Sequence, residues 1–76
     1  MLKEQLSLMV KNLIRSKEDI SSSAHFKNDL GMTSLNLIEL TTMIHTRFGI
    51  DLGRISAEKK VIPESIDDIV FLLEGA

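Results

Sequence analysis

Ser34 is the residue of this chain best placed to take part in covalent chemistry. It stands in Asp29-Leu30-Gly31-Met32-Thr33-Ser34-Leu35, and the apolar spacing that follows places it at a helix start. A hydroxyl there sits on a short exposed turn, in front of unpaired backbone N–H groups and the positive end of a helix dipole. Such a position suits a phosphate ester. Ser21, Ser22 and Ser23 fall instead in an undifferentiated polar run. A hydrolytic triad of Ser34, Asp29 and either His25 or His45 is excluded on three counts. There is no G-x-S-x-G elbow, no strand signal ahead of the serine, and 76 residues leave no volume for a substrate cleft. No catalytic residue is assigned.

The chain has no cysteine, so it forms no disulfide, no thiolate metal site and no thioester of its own. His25 and His45 are not at metal-binding spacing, and no metal site is expected. Nine basic side chains against eleven acidic ones give a formal charge of −2, without a basic run or stripe. That argues against nucleic acid as a partner. The longest apolar run, 69–73, is far too short to span a bilayer. The first segment is broken by Lys3, Glu4, Gln5, Lys11 and Asn12, unlike a signal peptide. The expectation is a cytoplasmic monomer that engages neither membrane nor nucleic acid.

The elements that must position Ser34 follow from periodicity. Leu2, Leu6, Met9, Val10, Leu13 and Ile14 share one helical face and predict a helix over 2–15. Residues 16–33 form a long connection rich in turn formers, and Ile20, Phe26, Leu30 and Met32 predict that it is pinned to the core. A second helix is predicted over 34–48, capped by Thr33 accepting from the amide near Asn36 and stopped by Gly49. Leu37, Leu40, Ile44 and Phe48 form its core stripe, widened by Thr41 and Ile38. Leu35, Glu39, Thr42 and Thr46 lie on another face, looking outward. A short helix is predicted over 55–60. A last one starts at Ser65-Ile66-Asp67-Asp68 in capping-box style, with Ile66, Ile69, Val70 and Leu73 facing inward. The fold class is all-α: one domain, 1–76, a small four-helix bundle with three main helices, one short helix and a long first loop.

Residues 29–35, DLGMTSL, resemble the prosthetic-group site of acyl and peptidyl carrier proteins, whose usual pattern is D-x-L-G-x-D-S-L or a close variant. The sequences FGIDL from Phe48 and ESIDDIVFLL from Glu64 resemble the family's later segments in order and spacing, so the likeness covers essentially the whole chain. The resemblance implies a carrier that is a substrate of enzymes, not an enzyme. It implies 4′-phosphopantetheine, derived from coenzyme A, esterified to Ser34 and flanked by Asp29, Gly31, Thr33 and Leu35. It places partner docking on Leu35, Ile38, Glu39 and Thr42. The implied partners are a phosphopantetheinyl transferase, acyl- or aminoacyl-loading enzymes, and ketosynthase or condensation-type enzymes. The arm would import the thiol that the chain lacks, and a tether raises effective concentration at each partner.

Two departures from the pattern carry information. Thr33 stands where the family usually has Asp, which keeps a capping oxygen but removes a charge worth up to about 1 kcal/mol at a helix N-terminus. The stretch from Glu39 to Arg47 holds one acid, with His45, Arg47 and three threonines, where fatty-acid carriers commonly bear an acidic run. Electrostatic complementarity selects partners. The expectation is therefore a polyketide, nonribosomal peptide or other specialised pathway. The alternatives are a fatty-acid synthesis acyl carrier protein and a carrier-like helical adaptor without a prosthetic group. A helix-turn-helix regulator ranks below both, since Arg47 is nearly alone in reach of phosphate.

Overall fold

A computed structural model of the chain describes residues 2–74. Four helices follow in order: α1, Leu2–Leu13; α2, Ser34–Phe48; α3, Leu52–Lys59; and α4, Ile66–Glu74. Among the described residues there is no strand. α1 packs on α2 and α4, and α3 bridges α2 and α4. The expected all-α bundle with one short helix is the fold observed.

α1 buries Leu6, Met9 and Val10. It stops at Leu13, two residues before the predicted end. Arg15 takes a left-handed conformation with φ 56°. Ser16 N–H then donates to Lys11 O at 3.0 Å and Arg15 N–H to Asn12 O at 3.3 Å. This is a Schellman closure built on a residue other than glycine, which is why the sequence hides it.

α2 begins and ends where predicted. Leu40 and Ile44 are fully buried, while Leu37, Thr41 and Phe48 are half-buried. Ile38 does not widen this stripe, being 63% exposed. It lies two positions before Leu40, which turns it about 200° around the axis. Gly49, at φ 68°, closes the helix by donating its N–H to His45 O at 2.8 Å.

α3 starts three residues earlier than its periodicity indicated. The Asp51 carboxylate accepts from Arg54 N–H at 3.1 Å, and buried Leu52 anchors the first turn despite Gly53. Lys60 ends it in a left-handed conformation. α4 opens as the Ser65 hydroxyl accepts from Asp68 N–H at 3.2 Å. The Asp68 carboxylate accepts from Glu64 N–H at 2.9 Å, one residue before the serine amide that a capping box would use. Ile66, Ile69 and Leu72 are the buried residues of α4; Val70 and Leu73 are half-buried.

The long connection is pinned as expected. Phe26 and Met32 are buried in the core, with Ile20 and Leu30 half-buried. Phe26 N–H donates to Glu64 O at 2.8 Å and Asp67 N–H to Ser22 O at 3.0 Å, tying the loop to the start of α4. Lys3 reaches the Asp67 carboxylate at 3.1 Å and joins the first turns of α1 and α4. The Ser22 hydroxyl, and after it Lys3, hold the Asp67 carboxyl below its usual range.

Candidate attachment site at the start of the second helix

The approach to Ser34 is a compact turn over residues 25–32. Asp29 and Leu30 N–H both donate to His25 O, at 2.9 and 3.1 Å, and Met32 N–H donates to Phe26 O at 2.8 Å. The Asp29 carboxylate accepts from His25 N–H at 2.7 Å. Asp29 therefore builds the turn that leads to the serine. Gly31 has φ 65°, and a Cβ built there would meet nothing within 4 Å. Its requirement for glycine is conformational, not steric. Buried Met32 then fixes the chain where it enters α2.

Thr33 has extended backbone, and its Oγ1 accepts from Asn36 N–H at 3.1 Å. The Asn36 side-chain oxygen accepts in return from Thr33 N–H at 3.1 Å. The capping hydroxyl was readable in the sequence, and the T-x-x-N spacing would also have given the reciprocal half. Ser34 follows as the first residue of α2 and is exposed. Among the described residues nothing hydrogen-bonds its hydroxyl, and the Ser34 and Leu35 amides have no protein acceptor.

The neighbouring surface is apolar at its centre. Leu35 is 64% exposed beside the 63% of Ile38, and Glu39 and Thr42 are exposed with them. Two adjoining cavities, of about 240 and 150 Å³, share Phe26, Leu37, Ile62 and Pro63. His25, Lys27 and Glu64 complete the lining of the larger one, and Leu40, Thr41, Leu52 and Ile69 that of the smaller one. A larger depression of about 410 Å³ lies against α1 and residues 19–22 and is lined by none of residues 29–35.

His25 is the residue that sequence reasoning passed over as a scattered histidine. Its Nδ1 accepts from Lys27 N–H at 3.2 Å and Asn28 N–H at 3.1 Å. Its Nε2 lies 2.6 Å from Glu64 Oε2. The available signal was a side-chain acceptor opening a turn, with an acid four residues later. Among the described residues, no group of three or more His, Asp or Glu is placed to hold a metal ion. No described helix is long and apolar enough to cross a membrane.

Residues 4–55 match the sequence profile of the family described as "Phosphopantetheine attachment site". The chain is also 37% identical over 70 residues to an acyl carrier protein of Cyanidium caldarium, an alignment covering 91% of this chain and 81% of that protein. No solved structure gives a significant match. The chain belongs to the phosphopantetheine-binding acyl carrier family. Its cofactor is 4′-phosphopantetheine, and it is a carrier on which transferases and biosynthetic enzymes act, not itself an enzyme.

Proposed function

We propose that the chain carries pathway intermediates as thioesters on a 4′-phosphopantetheine arm joined to Ser34 Oγ. The observation that carries this reading is the exposed Ser34 hydroxyl at the first position of α2, unengaged among the described residues, beside two amides that find no acceptor among them. These groups fit a phosphodiester: the oxygen supplies the ester, and the Ser34 and Leu35 N–H groups can donate to the phosphate at the positive end of the helix. When attached, the cofactor supplies the thiol that the chain lacks. Asp29, Gly31 and Thr33 shape the turn, and Leu35, Ile38, Glu39 and Thr42 form the docking surface. The paired cavities over Leu37, Leu40 and Ile69 receive the apolar part of a cargo.

The pathway we favour is polyketide, nonribosomal peptide or other specialised biosynthesis in the cytoplasm, with loading enzymes and ketosynthase or condensation-type enzymes as partners. Support comes from the outward side of α2, where Glu39 is the lone acid and the last turn carries His45 and Arg47. A partner that reads such a face uses shape and apolar contact more than long-range charge. The test incubates the protein with coenzyme A and a broad-specificity phosphopantetheinyl transferase and records the intact mass. The wild type should gain one pantetheinyl group and Ser34→Ala none, with the same helical circular dichroism. An adduct on Ser34→Ala, or none on the wild type, would overturn the assignment.

A further inference from the structure

We propose that His25 is a proton-responsive positioning residue, holding the turn that leads to Ser34 only while its imidazole is neutral with the proton on Nε2. A backbone N–H can only donate, so the nitrogen that receives both Lys27 N–H and Asn28 N–H must be bare. Nε2 then carries the ring proton and donates it to Glu64 Oε2. One ring thereby caps the 25–30 turn and links it to a segment 39 residues further on. Phe26 N–H reaches Glu64 O alongside, so turn and segment are joined by main chain and side chain together. From there the order passes through Gly31 N–H on Lys27 O and Met32 N–H on Phe26 O to the cap of α2.

Protonation acts on one side of the ring. Nε2 bears hydrogen in both forms, so its contact with Glu64 persists. Nδ1 changes from acceptor to donor while facing two donors, and both turn bonds are lost. The charged groups around the ring are few. Glu64 lies on the 60–65 connection, and the Asp29 carboxylate is held on His25 N–H. The Lys27 side chain follows in the turn, and the Asp68 carboxylate of α4 is turned to Glu64 N–H. The Glu64 side chain is 60% exposed, so its attraction for an imidazolium is screened by salt. Acid therefore loosens the approach to Ser34. The effect on the turn stands by itself; the effect on loading rests on Ser34 as the attachment point.

The test compares wild type with His25→Asn and His25→Ala. The Asn side-chain oxygen can take the place of Nδ1 as acceptor, but it neither titrates nor reaches Glu64. Ring-nitrogen NMR at about pH 7.5 should show the neutral imidazole protonated on Nε2. Hydrogen exchange at the Lys27 and Asn28 amides, corrected for intrinsic rates, is then followed to about pH 5.5. Wild-type protection should fall about tenfold, His25→Asn should stay flat, and His25→Ala should be unprotected throughout. The initial rates of pantetheine transfer by one transferase, taken as the ratio of wild type to His25→Asn, should fall with pH while the transferase's own titration cancels. An Nδ1–H tautomer, or equal pH dependence of protection in wild type and His25→Asn, overturns the proposal. A flat rate ratio while protection switches overturns the positioning role. Modification of Ser34→Ala would instead sink the attachment reading and leave the exchange results standing.

Discussion

α2 carries the same residue types on two opposed sides. Leu40 and Ile44 are 2% and 0% exposed, whereas Leu35 and Ile38 are 64% and 63% exposed. Burying a leucine or isoleucine stabilises a fold by about 1.5–3 kcal/mol, so the first pair helps hold the bundle together. The second pair contributes little of that in the isolated chain. A lone exposed leucine needs no explanation. Two large apolar side chains on the two turns that follow an unengaged serine, however, are available to a partner. One helix thus buries one pair on one side and exposes the other pair on the opposite side, and residue type alone does not say which is which.

Four substitutions test that contrast. Leu40→Ala should have the largest effect, lowering stability by about 2–5 kcal/mol, read from denaturant unfolding. In a domain this small that threatens folding altogether. Leu35→Ala should leave stability within about 0.5 kcal/mol of wild type. It should slow loading by a cognate enzyme by about fivefold or more, as loss of a docking anchor does. Raising salt should matter little to that rate, because Glu39 is the lone acid on this side. A thermal midpoint for Leu35→Ala as low as that of Leu40→Ala would erase the distinction between the two sides.

Thr33→Asp should have a smaller effect. Asp still caps Asn36 N–H, and its charge adds roughly 0.3–1 kcal/mol at the dipole's positive end. It should speed modification by a generalist transferase, and the gain in thermal midpoint should shrink once the neighbouring phosphodiester is in place. An unchanged or slower rate would show that this position is not read. The slightest effect is expected from Asp67→Asn, at the far side of the comparison, where the loop meets α1 and α4. The Ser22 hydroxyl and then Lys3 lower the folded-state pKa of Asp67 from 3.8. Its contribution is thus fully present above that value and is lost as pH falls through the folded-state pKa. The variant should lack this contribution near neutrality, and its stability should vary less with acidification in that window. Equally steep acid profiles for both proteins would place the sensitivity elsewhere.

The parts of the fold that repeat were legible, and the parts that depend on single contacts were not. The apolar spacing of α1 and α2 announced both helices, and Thr33 and Gly49 marked both ends of α2. The end of α1 was hidden because Arg15 gives no sign of a left-handed conformation. The start of α3 was hidden because Gly53 weakens the propensity that Asp51 and buried Leu52 restore. The placement of Ser34 as the exposed first residue of α2 was legible because the turn and cap around it are local in sequence. His25 was not, because its partner Glu64 lies 39 residues away and no periodicity connects them. Ile38 shows the limit from the other direction: hydrophobicity assigned it to the core, and only its angular position places it outside.

The central claim, that Ser34 carries the arm, is tested most directly by locating the modification within the chain. Trypsin cleavage after Lys27 and Arg47 releases the 28–47 peptide, in which Ser34 is the only serine, whereas Ser21, Ser22 and Ser23 fall in the preceding fragment. Tandem mass spectrometry of the protein modified by a transferase should place the whole pantetheinyl mass on Ser34 of the 28–47 peptide. The same mass on Thr33 or on the fragment holding Ser21, Ser22 and Ser23 would contradict the account.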